Sequence, residues 1–182
     1  MPVKQERKRS NMKIVKFALL SLVVLFLVLT GLSLLFPAHL RVARVVNLAA
    51  PKEKVLGAVS DFRAWKEWNQ FLRPNTLSNV RYSSPSAGKG AMLEADELTI
   101  REMAADSEGI RLHWNLRGGK EVDGGFRFGS LNTDSLTVMW YFDLNFRWYP
   151  WEKLGIFVYD RKLGPVMEES LTGLKQFVEK SH

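Results

Sequence analysis

Three hydrophobic periods divide the chain. The first is unbroken: the 20 residues from Phe17 to Phe36 carry no charge. As a helix they measure about 30 Å, the thickness of a bilayer's hydrocarbon core. Ser21, Thr30, Gly31 and Ser33 interrupt the run, and hydroxyls are tolerated there because they bond the backbone one turn earlier. An all-round apolar segment of this length predicts a membrane span, not a core helix. It exceeds the apolar core of a cleaved signal, about 7–15 residues. Its exit, Pro37-Ala38-His39-Leu40-Arg41, is a poor cleavage site, so a retained anchor is expected.

The second period is two. Arg41 to Leu48 reads as a strand. Ala49-Ala50-Pro51 then opens a helix with Val55, Leu56 and Val59 on one face, and Pro51 suits its first position. Ser60-Asp61 breaks it, and a short helix from Phe62 to about Asn69 presents Phe62, Trp65 and Trp68. Alternation takes over from Asn79: Val80 to Ser83, Ala91 to Glu97, Leu98 to Met103, Ile110 to Arg117, Glu121 to Gly129, and the ladder Leu136-Val138-Trp140-Phe142-Leu144-Phe146. Ser84 to Gly90, Asp106 to Gly109, Gly118-Gly119 and Asn132 to Asp134 are the turns between them. This is an antiparallel meander with one dry and one wet face. Gly124-Gly125 reads as a bulge in a curved sheet.

The third period is helical. From about Arg161 to Lys180, Leu163, Val166, Met167, Leu171, Leu174, Phe177 and Val178 form one stripe. Gly164-Pro165 marks either a kink or the helix start. The predicted architecture is α+β: a curved antiparallel sheet wrapped around a long C-terminal helix, preceded by one transmembrane helix. The expected divisions are a basic arm 1–16, the span 17–36 and a folded domain 37–182.

Charge sharpens the division. The net charge is +7, but Lys4, Arg7, Lys8, Arg9, Lys13 and Lys16 against Glu6 give the arm +5 and leave the domain +2. Basic residues concentrate on the cytoplasmic side of a span, so the N-terminus is expected inside and the domain outside, in the periplasm if the cell is Gram-negative. The nearly neutral domain does not read as a nucleic-acid binder. A strand beginning only four residues beyond Pro37 leaves the domain little room to roam from its anchor.

Candidate chemistry is sparse. With no cysteine there is no disulfide, thiolate nucleophile or Cys-based metal site, and the three histidines, His39, His113 and His182, are scattered. Neither a metal, nor a cofactor, nor a catalytic residue is expected. His113 lies on the polar face of its strand. No polar residue stands out on the inward faces, which favours binding or packing over chemistry. Aromatics dominate instead: Trp114, Phe126, Phe128, Trp140 and Phe142 should face the concave side, either filling it or lining a pocket with Met167, Leu171 and Leu174. Trp65 and Trp68 are plugs beneath the short helices or part of the same lining. Phe146-Arg147-Trp148-Tyr149-Pro150-Trp151 touches the membrane interface or packs beneath the last helix.

Several stretches resemble a known group. They are Val45 to Val55 with its Ala50-Pro51, the run Val59-Ser60-Asp61-Phe62 followed by Trp65 and Trp68, and Gly88-Lys89-Gly90 before a strand. Leu136-Thr137-Val138-Met139-Trp140, Leu154 to Phe157, Leu163-Gly164-Pro165 and Glu169 to Lys175 complete the likeness. The order is similar to the START-like (SRPBCC) superfamily, within it the polyketide cyclase/dehydrase and lipid-transport group. That resemblance implies a helix-grip fold with an apolar cavity between sheet and C-terminal helix. It leaves function open, because carriers, cyclases and hydrolases share the fold.

Three readings follow. The first is a membrane-tethered domain, held through Phe17 to Phe36, that binds a lipid-like or polyketide-like molecule in the cup. The second is a cyclase or hydrolase, which needs Asp143, Arg127 or His113 turned inward. The third is a filled module that acts through protein contacts. Ligand pockets usually reach about 300 Å³, and a cavity below about 100 Å³ is incompatible with a carrier.

Overall fold

The computed structural model describes residues 3–34, 38–73, 76–132, 135–146 and 156–180. They belong to two compact units, Met1–Ala38 with Phe146–Ile156, and His39–Asn145 with Phe157–His182.

In the first unit, helix α1 (Val3–Ser33) takes in the described part of the predicted arm and continues through the span as far as Ser33. Its segment Met12–Ser33, 22 residues, is long and apolar enough to cross a membrane. Phe17, Leu19, Leu22, Leu25, Leu27 and Leu32 are all exposed, so the helix presents apolar side chains all round. The Thr30 hydroxyl donates to the Phe26 carbonyl at 2.8 Å, so this polar side chain costs the helix no unpaired group.

The second unit begins with β1 (His39–Leu48), α2 (Lys52–Ser60), α3 (Trp65–Trp68) and a 3₁₀ turn (Gln70–Leu72). Six strands follow: β2 (Arg81–Tyr82), β3 (Met92–Glu94), β4 (Leu98–Asp106), β5 (Gly109–Leu116), β6 (Lys120–Asn132) and β7 (Ser135–Asn145). Helix α4 (Ile156–Glu179) closes the order. The strands make one open antiparallel sheet in the order β1-β7-β6-β5-β4-β3-β2. The N-terminal strand therefore pairs with the last one, Arg44 opposite Trp140 and Leu48 opposite Leu136. This is the helix-grip arrangement the element order predicts.

Alternation decides which face is dry. Ile100, Leu112, Trp114, Val122, Phe126 and the ladder Leu136 to Leu144 bury their side chains, as do Met167, Leu171, Leu174 and Val178 of the helix stripe. The opposite face is polar and paired across strands. Arg41 grips Asp143 with two hydrogen bonds of 2.7 Å and lies over the Tyr141 ring at 4.6 Å. The His113 ring nitrogen lies 2.8 Å from the Asp123 carboxylate.

Two expectations change here. Helix α4 starts before Arg161, and Pro165 lies inside it. Its missing N–H leaves the Arg161 carbonyl without the usual intrahelical donor. On the next turn Arg44 of β1 crosses over Gly164, where a Cβ would come within 2.3 Å of the guanidinium. Arg44 pairs with Asp160 at 3.1 Å and Glu168 at 2.6 Å, one turn to each side. Gly124 and Gly125 sit in unbroken register within β6, and the register shifts fall at Glu102/Ala104 and Ser130/Asn132. Gly125 instead permits close strand approach: its φ is +155° and a Cβ would lie 2.0 Å from the Ile110 carbonyl oxygen. Of the Phe146 to Trp151 cluster only Phe146 is described; the rest lies outside the described residues.

Candidate functional site

The concave face divides into a filled part and an open one. The filling begins with α2, whose last carbonyls have no intrahelical partners. The Trp65 indole donates to the Val59 carbonyl at 2.7 Å and the Trp68 indole to that of Ala58 at 3.2 Å. These bonds pin both rings, three residues apart, over the sheet. Phe62 packs edge-on against Trp65 at 5.1 Å, and Trp65 and Trp68 meet Phe126 at 6.0 and 6.1 Å. Phe126 stacks on its cross-strand partner Trp140 at 5.1 Å with the rings 22° apart. Trp65, Phe126 and Trp140 are 0% exposed. This half of the cup is packed core.

The open part lies beside it. An apolar cavity of about 90 Å³ is lined by Phe71, Leu98, Trp114, Leu116, Lys120, Val122, Phe142, Leu144, Tyr159 and Leu163. Three strands turn around it at the end of the sheet where β1 begins: Leu116 ends β5, Lys120 starts β6 and Leu144 lies near the end of β7 opposite Leu40. Phe71 is held over it by a small network. Asn69 Oδ1 accepts from the Phe71 N–H at 3.0 Å, and the Ser170 hydroxyl accepts from the Gln70 N–H at 2.9 Å while donating to the Val166 carbonyl at 2.7 Å. The 3₁₀ turn is thereby tied to α4, and the Phe71 ring stands 5.9 Å from Trp114 and 6.3 Å from Phe142. No polar atom faces the cavity, so Lys120 contributes its aliphatic stem. Its ammonium lies over the Tyr159 ring, 4.1 Å from the centroid, and donates to the Tyr159 hydroxyl.

The ten residues expected to line one cup are thus divided. Trp114 and Phe142 line the cavity. Trp65, Trp68, Phe126 and Trp140 pack on one another, and Met167, Leu171 and Leu174 are buried in the helix stripe. Phe128 is half-buried. Rings held 5–6 Å apart leave no room between them, which is the physical reason these described residues form no deep cup. At about 90 Å³ the cavity falls below the 100 Å³ limit expected of a carrier, so the carrier reading does not hold for it.

On the outer face Asp143 pairs with Arg41 and His113 with Asp123, and Arg127 is exposed. The inward acid is one that was not expected. Glu102 of β4 is 1% exposed, and neither buried carboxylate oxygen has a well-formed hydrogen bond; only the Gly88 N–H faces the group. Burial raises its pKa above the ordinary carboxylate value, with the Gly88 N–H working weakly the other way. Period two from Leu98 through Ile100 places Glu102 on the dry face, and that signal was available in the sequence. Glu102 does not line the apolar cavity. A larger concavity of about 700 Å³ runs outside, between α3, the 3₁₀ turn and α4. It is a polar groove bearing Lys66, Arg73 and Lys180 beside Glu67, Glu168 and Glu169, the mixed charge of an ordinary solvated surface.

No family model and no curated protein matches the chain. Solved structures do. The chain is similar to a START superfamily protein from Mycobacterium smegmatis, with 17% identity over 78% of this chain and 99% of that one and a TM-score of 0.54. CalU16 from Micromonospora echinospora is 12% identical over 76% of this chain and 73% of that one, with a TM-score of 0.54. Norcoclaurine synthase from Thalictrum flavum, solved in complex with dopamine and hydroxybenzaldehyde, is 12% identical over 79% and 88%, with a TM-score of 0.53. The fold is therefore START-like, with an apolar helix added at the N-terminus.

Proposed function

We propose that this chain is a membrane-tethered START-like domain that receives the apolar end of a hydrophobic small molecule, lipid-like or polyketide-like. The observation that carries the reading is the cavity between the sheet and α4, walled by aliphatic and aromatic side chains. An engineered cavity of about 150 Å³ holds a benzene ring. A pocket of about 90 Å³ suits the end of an alkyl chain or part of a small ring, while the rest of the molecule projects through its mouth. Norcoclaurine synthase, of the same fold, was solved with two small aromatic molecules, which supports a ligand of modest size.

Helix α1 serves as the anchor in this reading, with the basic arm in the cytoplasm and the domain outside. Five residues, 34–38, separate Ser33 from His39, a reach of about 20 Å at full stretch. The cavity lies at the sheet end from which β1 departs, so a ligand resident in the bilayer suits it better than one in bulk water.

Photolabelling tests the proposal. The full chain in lipid nanodiscs is exposed to an octyl probe bearing a diazirine, and the cross-linked residues are mapped by mass spectrometry. Labels are expected on Leu116, Val122 and Leu144. Val122→Phe fills the cavity and should reduce labelling about tenfold, the loss of roughly two buried methylenes. Labelling indifferent to Val122→Phe, or confined to the outer groove, rejects the pocket. No labelling at all favours the filled module.

A further inference from the structure

Glu102 sits where the loop after β2 rejoins the sheet. Its main chain clasps that loop twice: its N–H donates to the Ala91 carbonyl at 2.9 Å, and its carbonyl accepts from the Gly90 N–H at 2.8 Å. Its side chain is buried, with the Gly88 N–H of the same loop beside the carboxyl. Gly88 and Gly90 have φ of +90° and +89°, a backbone that glycine adopts without strain, so the loop turns sharply at this carboxyl. The other end of the loop is tied to the turn between α2 and α3. The Ser86 carbonyl accepts from the Phe62 N–H at 3.1 Å, and the Ser86 hydroxyl donates to the Asp61 carboxylate at 2.8 Å. Residues 86–91 thus form a strap, fastened at Asp61 and Phe62 on one side and at Glu102 on the other.

We propose that this strap is a pH-operated device, closed while the Glu102 carboxyl carries its proton and opened locally when the proton leaves. A neutral carboxyl stays in an apolar site at modest cost, whereas a buried carboxylate without a counter-charge costs far more. Water is the remaining source of stabilisation, and the strap is the side from which it can come. On the other side Glu102 stands opposite Leu112, inside a β4–β5 ladder that runs from Leu98 to Asp106. The charged groups of the surrounding elements do not supply the missing partner. Lys89 of the strap, Glu94 of β3, Arg101 of β4 and Arg111 of β5 are exposed. His113 is bonded to Asp123 on the outer face, and Asp61 and Arg63 act on Tyr82. Among the described residues only burial and the Gly88 N–H bear on the Glu102 carboxyl. Closure is therefore complete in acid and weakens as pH rises through the value at which Glu102 ionises in the folded state.

Hydrogen exchange at single amides separates opening of the strap from unfolding of the domain. The full chain in lipid nanodiscs is exchanged at values from about pH 5 to pH 8, and each amide's protection is taken relative to its intrinsic rate at that pH. The Gly90 and Glu102 amides should be less protected than those of β7. They should lose protection as pH rises, by up to about tenfold per pH unit between the ordinary carboxylate value and that of the closed state. Glu102→Gln keeps the size of the side chain without its ionisation and should make the protection of both amides independent of pH. Glu102→Leu should do the same, and serves if the glutamine variant fails to fold. Protection that is flat with pH in the unaltered chain, or that falls equally in the variants, overturns the proposal. Protection equal to that of β7 also overturns it, because Glu102 would then meet water only when the whole domain unfolds.

Discussion

Replacing Trp140 with alanine should destabilise the domain by about 3–5 kcal/mol, the usual loss for emptying a buried Trp site. Trp140 is 0% exposed and its ring touches Phe126 at 5.1 Å, Phe142 at 5.5 Å, Phe71 at 5.7 Å and Trp68 at 6.4 Å. Such ring pairs contribute about 0.5–1.5 kcal/mol each beyond area burial, and a domain of this size has only about 5–15 kcal/mol in total. Thermal unfolding of the solubilised chain should show a fall in Tm of roughly 10–20 °C. Trp140→Phe should cost far less. The Trp140 indole N–H is buried with no hydrogen-bond partner, so phenylalanine removes an orphan donor while keeping most of the ring. If Trp140 were instead the wall of a ligand cup, alanine would enlarge the cup at little cost; a Tm drop of only a few degrees would show that the filled half is not core.

The second large effect concerns Glu102, and its sign is opposite. Because burial raises its folded-state pKa, the folded protein holds a proton that the unfolded chain releases near the ordinary value, about 4.3. Its contribution to stability is therefore greatest below that value and is lost as pH rises through the folded-state pKa. Glu102→Leu replaces a poorly partnered buried carboxyl with an apolar side chain of similar reach. It should stabilise the domain by about 1–3 kcal/mol at pH 8, with the difference from the unaltered protein shrinking as the pH is lowered to 4. A difference that is flat across this range, or that grows on acidification, would mean that Glu102 has a partner or is solvated. Exposed carboxylates do not obscure the comparison, since both proteins share them. Glu97, for example, is held below the ordinary range mainly by the Ser78 N–H.

Much of the fold was legible because alternation is a local signal. The ladder from Leu136 to Phe146 and the run from Ile110 to Arg117 stated their dry faces outright, and the helix stripe supplied the partner surface. The site was less legible because volume is not a local property. Trp65, Trp68, Phe126 and Trp140 were correctly read as inward, yet whether inward rings line a space or close it depends on the 5–6 Å between their centres, which spacing along the chain does not encode. The cavity drew on residues at element ends, where periodic patterns stop. Phe71 lies in a 3₁₀ turn beyond the predicted short helix. Tyr159 sits one turn upstream of Leu163, ahead of the helix start that the apolar stripe places at about Arg161. Lys120 begins a strand whose start was placed one residue later. Glu102 alone was overlooked against a clear pattern, two residues after Ile100.

The dependence of affinity on tail length tests the central claim most directly. A homologous n-alkyl series from methyl to hexadecyl, with one head group, is competed against the octyl photoprobe on the full chain in nanodiscs and plotted against free aqueous concentration. A cavity of about 90 Å³ predicts affinity rising roughly fourfold per methylene, or 0.8 kcal/mol, over about the first four carbons and then levelling off. A rise that continues through hexadecyl would mean that the packed half opens to take a whole tail, and no competition at any length would mean that the cup is closed; either result contradicts this account.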